Sequence, residues 1–423
     1  MKKFLALALV LMMMLALAAC GGSPASTPAA NSTPASTADA GSDDGSEPAS
    51  ATGGIAPADL KIGAIHDQDE ADQGFTFNQV AGIRYMLAQL GLDESQYIPK
   101  FNVSDQDEAQ IMAAFEELIA SECQIIFACG FGYGTQAEAF AEKYPEVKIC
   151  QATGSGAHYA GLSNFHNYFA KIHQARYLAG VVAGMKAKEI GNPKLGYIGA
   201  FPFAEVISGY TAFYLGAKSV YEDVVMDVVY INAWGDAIRE AEVAQSLIDR
   251  GCGVISQHSD NVAPSTVAES NGAFHVGYNN DMISAAPGAS LISARVNWGI
   301  YYTIAVQCLI DGTEIPVDWG GGIVEGATDA GAAYLSPLNE AIAAEGTKEA
   351  LDSAIAWILE GDRIFSGALK DNNGDPLELY DYSGNKFFTF EDESSVYLES
   401  DVVSAPGFAP KEGTTLAGIT IVE

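Results

Sequence analysis

Short apolar segments alternate with amphipathic segments along most of the chain. A brief apolar run predicts a buried strand, whereas apolar residues at every third or fourth position predict a helix that covers a core. Val80, Ile83, Leu87 and Leu90 form one such stripe, so residues 77–90 are predicted to be helical. Because strands and helices alternate at this spacing, the pattern favours an α/β fold with parallel sheets flanked by helices.

The alternation forms two series that meet near Phe165. The first series predicts strands at 61–66, 97–103, 124–129 and 147–151, and helices at 77–90, 107–120 and 135–144. The second predicts strands at 195–200, 224–231, 254–255, 274–278 and 291–296, and helices at 169–188, 204–220, 236–250, from 263, and at 299–310.

A folded body of about 360 residues is too large for one typical core. We therefore expect two lobes with a ligand cleft between them. Lobe 1 is predicted to comprise residues 57–165 with a return segment near 285–325, and lobe 2 residues 166–284 with a contribution from 326–423. In that last part, residues 338–360 are predicted to be mostly helical with an interruption at Gly346, and residues 363–390 to form hairpins.

Polar and aromatic side chains crowd the predicted carboxyl ends of the strands. The densest example is the stretch from Gly253 to Pro264, in which a buried strand leads into Gln257, His258, Ser259, Asp260 and Asn261 before a helix begins. Open α/β sheets bind ligands at this position, next to helix N-termini. The alternative is a solvated loop with an ordinary helix cap, since Ser, Asp and Asn cap helices routinely.

The N-terminus has the features of an export signal. Lys2 and Lys3 precede an apolar run that ends before the small residues leading to Cys20, and this run is too short to span a bilayer comfortably. Residues 1–19 are therefore predicted to be a signal peptide that resembles those of bacterial lipoproteins, with Cys20 acylated. Residues 20–56 are rich in Ser, Ala, Thr and Pro and are predicted to be a disordered tether. The remaining body would be anchored by lipid to the extracytoplasmic face of the cell membrane.

Charge and cysteine content exclude several functions. The formal net charge is −33, and loss of Lys2 and Lys3 makes it −35, which argues against nucleic acid as a partner. Of the six cysteines, those other than Cys20 are odd in number and contain no CxxC pair, so neither a zinc site nor a disulfide framework is expected.

Several segments together resemble one known family. They are Gly74 to Gln79, Trp234-Gly235-Asp236, Gln257 to Asp260 with Ala263-Pro264, and Gly277 to Met282. With the lipoprotein signal, they are similar to the basic membrane protein family, which are substrate-binding lipoproteins of ABC importers and include purine nucleoside receptors. The resemblance implies the type I periplasmic-binding-protein fold, a permease as partner, no cofactor, no metal and no catalytic residues. We expect a monomer.

The resemblance also implies roles for individual residues. The receptors stack the base between aromatic rings at positions that match Phe77 and Trp234. They use an acid where this chain has Gln151, and they hold ribose through an Asp and a Lys where it has Asn279 and Asn297. A free purine base is therefore a credible ligand beside a nucleoside. The full predicted ligand-binding set is Phe77, Asn78, Phe131, Tyr133, Gln151, Phe203, Trp234, His258, Asp260, Asn279, Asp281, Asn297 and Trp298.

Two other functions stay open at this point. A nucleoside hydrolase would need clustered acids or a poised acid and base, and the dense acid run near a strand end is Asp67, Asp69, Glu70 and Asp72. A solvated acidic loop is the simpler interpretation of that run. A surface sensor or adhesin built on the same fold is the second alternative.

Overall fold

Two parallel sheets organise residues 53–423, which are the residues that this computed structural model describes. The predicted signal peptide, Cys20 and most of the predicted tether lie outside the described residues. The folded body begins slightly before the predicted boundary at residue 57, because the Ile55 backbone N–H donates to the Leu309 carbonyl at 2.9 Å.

The elements follow the predicted alternation closely. In chain order the strands are β1 Ile62–His66, β2 Tyr97–Lys100, β3 Ile125–Cys129, β4 Lys148–Ala152, β5 Phe165–Ala170, β6 Lys194–Gly199, β7 Val225–Tyr230, β8 Val254–His258, β9 Phe274–Tyr278, β10 Ser290–Val296, β11 Asp318–Gly321, β12 Ala333–Leu335, β13 Phe365–Ser366, β14 Glu378–Tyr380, β15 Lys386–Thr389, β16 Val396–Tyr397 and β17 Ile419–Ile421. The α-helices are α1 Phe75–Leu90, α2 Glu108–Ala120, α3 Gly134–Lys143, α4 Gly156–Ala160, α5 Ile172–Glu189, α6 Ala204–Val220, α7 Ala237–Asp249, α8 Ala263–Ser270, α9 Gly299–Asp311 and α10 Thr347–Glu360.

Each sheet has a simple order. The first runs β11-β5-β4-β3-β1-β2 with every neighbouring pair parallel. The second runs β12-β10-β9-β8-β6-β7-β17 and is parallel except for β12, which is antiparallel to β10. Parallel strands read as continuous apolar runs because helices bury both faces, and β1, β3 and β8 are buried at every residue.

The chain crosses between the sheets after β5, after β10 and after β11. The return segment therefore differs from the expected 285–325, because β10 belongs to the second sheet and the chain returns with α9 and β11. Lys171 and Ile323 lie on two of these crossovers. Two hydrogen bonds join these crossovers. The Lys171 N–H donates to the Gly321 carbonyl at 2.7 Å, and the Ile323 N–H donates to Gln174 Oε1 at 2.9 Å.

Helices α5 and α6 pack with their backbones in close approach. A Cβ atom at Gly180 would lie 2.0 Å from the Phe213 carbonyl oxygen, and one at Gly216 would lie 1.9 Å from that of Tyr177. Only glycine allows this approach. The approach therefore packs α6 directly on α5.

Two element predictions were wrong in part. Residues 165–170 form β5 where the helical prediction for 169–188 began, since all six residues of β5 are buried and show no alternation to mark a strand. Residues 338–346 form turns and α10 begins at Thr347, because Gly346 adopts φ +79°, which a helix does not continue.

The C-terminal residues add short strands to the second half of the fold. The predicted hairpins are present in part, as β14 pairs with β15. Strand β17 joins the edge of the second sheet beside β7. Among residues 53–423, no helix has both the length and the apolar character that crossing a bilayer requires.

Asn164 gives a test of how the first lobe is held together. Its buried Nδ2 donates to the carbonyls of Ala141, Tyr144 and Val147 at 2.9, 3.1 and 2.9 Å. Asn164→Ala removes all three of these hydrogen bonds, so we expect the free energy of unfolding to fall by about 2 kcal/mol. Urea unfolding followed by circular dichroism measures this loss. Asn271→Ala removes an exposed side chain that makes two similar contacts and should change stability by less than about 0.5 kcal/mol.

Candidate functional site

The carboxyl ends of strands from both sheets face one cavity. The empty volume of this cavity is about 530 Å³, and part of that volume is open to solvent. The lining residues from the first lobe are Asp67, Gln68, Phe75, Thr76, Asp105, Cys129, Gly130, Phe131, Tyr133 and Thr153, and those from the second lobe are Glu205, Trp234, His258, Asp260 and Tyr278. Phe131, Tyr133, Trp234, His258 and Asp260 are therefore the predicted site residues that line the cavity.

Aromatic rings form part of the cavity wall. Phe75, Phe131 and Trp234 all line it, and Phe131 leaves 40% of its surface exposed. Phe203, which was predicted for the site, bridges two of these rings, with centroids 5.6 Å from Phe131 and 6.1 Å from Trp234. Phe77 does not line the cavity, and Phe75, one helical half-turn earlier, does.

The first turn of α1 is fixed by a buried carboxylate. Asp72 accepts hydrogen bonds from the backbone N–H groups of Gly74, Thr76 and Phe77 at 3.0, 2.7 and 3.0 Å. Asp72 is 7% exposed, so the hypothesis of a solvated acidic loop is wrong for this member of the acid run. Its pKa is raised by burial, against the lowering effect of the three hydrogen bonds. Among residues 53–423, no group of acids, histidines and cysteines is arranged to hold a metal ion.

Asp260 lies where the two lobes touch. A Cβ atom at Gly74 would be 2.4 Å from the Asp260 carbonyl oxygen, so the backbone of α1's start approaches the loop after β8 directly. The Asp260 N–H donates to the Trp234 carbonyl at 2.9 Å, and Asn279 Nδ2 donates to Asp260 Oδ1 at 3.0 Å. The pKa of Asp260 is raised well above its usual range, first by burial and then by Asp72 and Glu240.

Buried polar residues hold the loop that carries Asp260. Gln257 Nε2 donates to the carbonyls of Ser259 and Asn261 at 2.9 and 2.7 Å. The Ser259 hydroxyl donates to Glu240 Oε2 at 2.7 Å. His275 lies within β9 with Nε2 3.0 Å from Gln257 Oε1. These contacts fix the conformation of the loop from within the protein.

His258 and Glu205 meet at the base of the cavity. His258 Nε2 lies 3.4 Å from Glu205 Oε1, and the two side chains are 1% and 12% exposed. Burial, assisted by Arg176, lowers the pKa of His258 well below its usual range, so the imidazole is neutral. Burial also raises the pKa of Glu205 to about 7, while Arg176 opposes the shift.

Other predicted residues make structural contacts beside the cavity. Gln151 Nε2 donates to the carbonyls of Gly130, Phe131 and Ala152. These bonds fix the start of the turn at residues 130–134, in which every second residue is glycine. Asn78 Nδ2 donates to the Val296 carbonyl at 2.8 Å, and Asn297 Nδ2 donates to that of Asp329. The residues of the predicted set that do not line the cavity are Phe77, Asn78, Gln151, Phe203, Asn279, Asp281, Asn297 and Trp298.

Sequence reasoning missed several lining residues. Asp105 and Thr153 follow strands β2 and β4, so their position in the chain was available as a signal. Glu205 and Tyr278 were harder to find. A glutamate in the first turn of a helix is common because it interacts well with the helix dipole, and Tyr278 ends an apolar strand. Neither pattern distinguishes a ligand contact from ordinary structure.

Comparisons with known proteins fit this geometry. A family model described as ABC transporter substrate-binding protein PnrA-like matches residues 60–352. A purine-binding protein of Brucella abortus is 31% identical over 325 residues, which are 76% of this chain and 88% of that protein. A putative ABC transporter glucose-binding protein of Haloferax volcanii is 34% identical over 229 residues, which are 54% of this chain and 56% of that protein.

A solved structure shares the fold. An ABC transporter solute-binding protein of Conexibacter woesei superposes with a TM-score of 0.57 at 16% identity, covering 72% of this chain and 97% of that chain. The predicted two-lobed α/β class is confirmed by this likeness and by the two sheets.

The family match decides between the functional classes. Proteins of this family bind a small molecule outside the cytoplasm and pass it to a permease, so the hydrolase alternative is wrong. The predicted basic membrane protein family is confirmed by the same match. The chain belongs to the family of PnrA-like substrate-binding proteins of ABC transporters.

Proposed function

We propose that this protein is a lipid-anchored receptor on the extracytoplasmic face of the cell membrane, which binds a purine nucleobase or nucleoside for an ABC importer. The observation that carries the proposal is one cavity that combines the rings of Phe75, Phe131 and Trp234 with the buried carboxyl groups of Asp260 and Glu205. The name of the Brucella relative supports a purine.

A planar heterocycle can stack on the aromatic rings of this cavity and form hydrogen bonds with its carboxyl groups. Stacking of a base on an aromatic side chain contributes about 1–3 kcal/mol, and it tolerates any flat ring. The polar edge of a purine supplies N–H donors, which buried carboxylates accept well because charge-assisted hydrogen bonds are strong in a site that excludes water.

A free base fits better than a nucleoside. The resemblance assigns ribose contacts to the positions of Asn279 and Asn297, yet Asn279 donates to Asp260 and Asn297 donates to the Asp329 carbonyl. Neither residue lines the cavity. Because both amides are engaged within the protein, neither Asn279 nor Asn297 is placed to hold a ribose.

Calorimetry with a panel of small molecules tests the ligand class. We expect adenine or guanine to bind more tightly than adenosine or inosine, and glucose to give no binding heat. Tight glucose binding with no response to any purine would contradict the proposal and favour the ligand named for the Haloferax relative.

Two phenylalanines in the first turn of α1 provide a matched pair. Phe75→Ala removes a cavity wall and should weaken purine affinity by about tenfold or more, and Trp234→Ala should do the same. Phe77→Ala, two residues away and outside the lining, should leave the dissociation constant within about twofold. Calorimetry measures both affinities. A larger loss of purine affinity in Phe77→Ala than in Phe75→Ala would contradict this assignment and show that Phe77 is the stacking residue.

The lipid anchor is tested separately from the ligand. When the full chain is expressed in a bacterium with labelled palmitate, we expect the label and membrane association to be lost in Cys20→Ser. Cys308→Ser changes a half-buried cysteine of the folded body and should keep both. Undiminished label in the Cys20 variant would disprove acylation at this residue.

A further inference from the structure

Glu205 accepts fewer hydrogen bonds within the protein than Glu240, another carboxyl group of the second lobe. It lines the cavity, and its contact within the described residues is the 3.4 Å approach of Oε1 to His258. Glu240 is also buried, but it accepts from the Asp236 N–H at 3.0 Å and from the Ser259 hydroxyl at 2.7 Å. The Glu205 side chain keeps 12% of its surface exposed where it lines the cavity, and polar groups that are mostly buried normally find partners. Its open side therefore points to a partner from outside the protein.

The surroundings of Glu205 contain further buried polar atoms without partners in the described part of the chain. These atoms are Nε and Nη2 of Arg176, Nδ1 of His258 and the hydroxyl of Tyr278. Arg176 stacks on the Tyr278 ring, with its guanidinium carbon 3.5 Å from the ring centroid, and donates to the Gln257 carbonyl at 2.7 Å. A buried cation at the back of the site favours a negative charge on Glu205.

We propose that Glu205 is a specificity-determining residue of the cavity, whose carboxylate accepts a hydrogen bond from an N–H group of the bound purine. This inference rests on the proposed function, and it assigns Arg176 a positioning role behind Glu205. A ligand without a donor at that point would leave a buried carboxylate unpaired, which costs more than the hydrogen bond itself contributes.

Because the ligand binds the ionised form of Glu205, purine affinity should depend on pH. Burial raises the pKa of Glu205 to about 7, so the free cavity holds a mixture of acid and carboxylate near neutral pH. A ligand that binds the carboxylate lowers this pKa and releases protons. Affinity should therefore fall as pH drops below about 7, by at most about tenfold for each pH unit.

The groups that act on Glu205 come from several elements. Arg176 of α5 favours the carboxylate, and His258 of β8 is neutral. Asp260, after β8, carries a raised pKa of its own and opposes a second negative charge. Tyr197 and Tyr278 face the same carboxyl group, and the pKa of each is raised, first by burial, so both stay neutral. The largely exposed Tyr382 also lies near Glu205, and the pKa of its hydroxyl is raised as well.

The test uses the folded protein with adenine as the probe. Calorimetry in two buffers of different ionisation enthalpy, between about pH 5.5 and about pH 8.5, gives the dissociation constant and the protons released. We expect wild type to release on the order of half a proton near pH 7. Glu205→Gln should bind at least about tenfold more weakly at the highest pH and lose both the proton release and the change of slope near pH 7.

Glu399→Gln is the matched control, because burial raises the pKa of the Glu399 carboxyl group as well, but this group does not line the cavity. It should keep the proton release of wild type, whatever its effect on stability. Thermal unfolding without ligand shows that both variants are folded.

Each further outcome decides one question. If wild type binds adenine and Glu205→Gln keeps the same proton release, the role of Glu205 is disproved while the proposed function stands. Tighter binding at low pH would overturn it too, since the acid form would then be the binding form. If wild type binds no purine at any pH, the proposed function fails and this inference fails with it.

Discussion

The direct approach of Gly74 to Asp260 sets the distance between the two sheets. No side chain fits between these backbones, because a Cβ atom would lie within 2.4 Å of the Asp260 carbonyl oxygen. Asp72 fixes Gly74 from one side and the Trp234 carbonyl fixes Asp260 from the other. The stacking rings and the buried carboxyl groups are brought to one cavity by this spacing, and any larger residue at position 74 would separate them.

Burial of carboxyl groups without a matching cation in the lining has an energetic cost. Asp260 and Glu205 both carry raised pKa values because burial penalises their charged forms. The nearby guanidinium of Arg176 is stacked on Tyr278 and hydrogen-bonded to the Gln257 carbonyl, so it offsets only part of this cost. A site of this kind gains most from a ligand that brings hydrogen-bond donors without a full negative charge.

Much of the fold was predictable because its pattern is local. Helix α6 was predicted at its observed bounds, 204–220, since an apolar stripe follows a strand and a short loop. Strand β5 was missed because both of its faces are buried, so tertiary packing and not periodicity decides its conformation. Trp234, His258 and Asp260 were predicted because they lie at the carboxyl end of a strand or in the loop that follows it. Phe75 and Phe77 are about 200° apart around α1, and the cap at Asp72 determines which of them faces the cavity.

The pairing of β17 with β7 places residues 419–421 at the edge of the second sheet, beside strands made almost two hundred residues earlier. Pairing between such distant segments contributes to stability only after the intervening chain has folded, and it slows folding. The second lobe therefore completes its sheet only after residues 419–421 have joined the rest of the fold. Until then the edge of β7 stays unpaired, and an unpaired strand edge is a template for pairing with another chain.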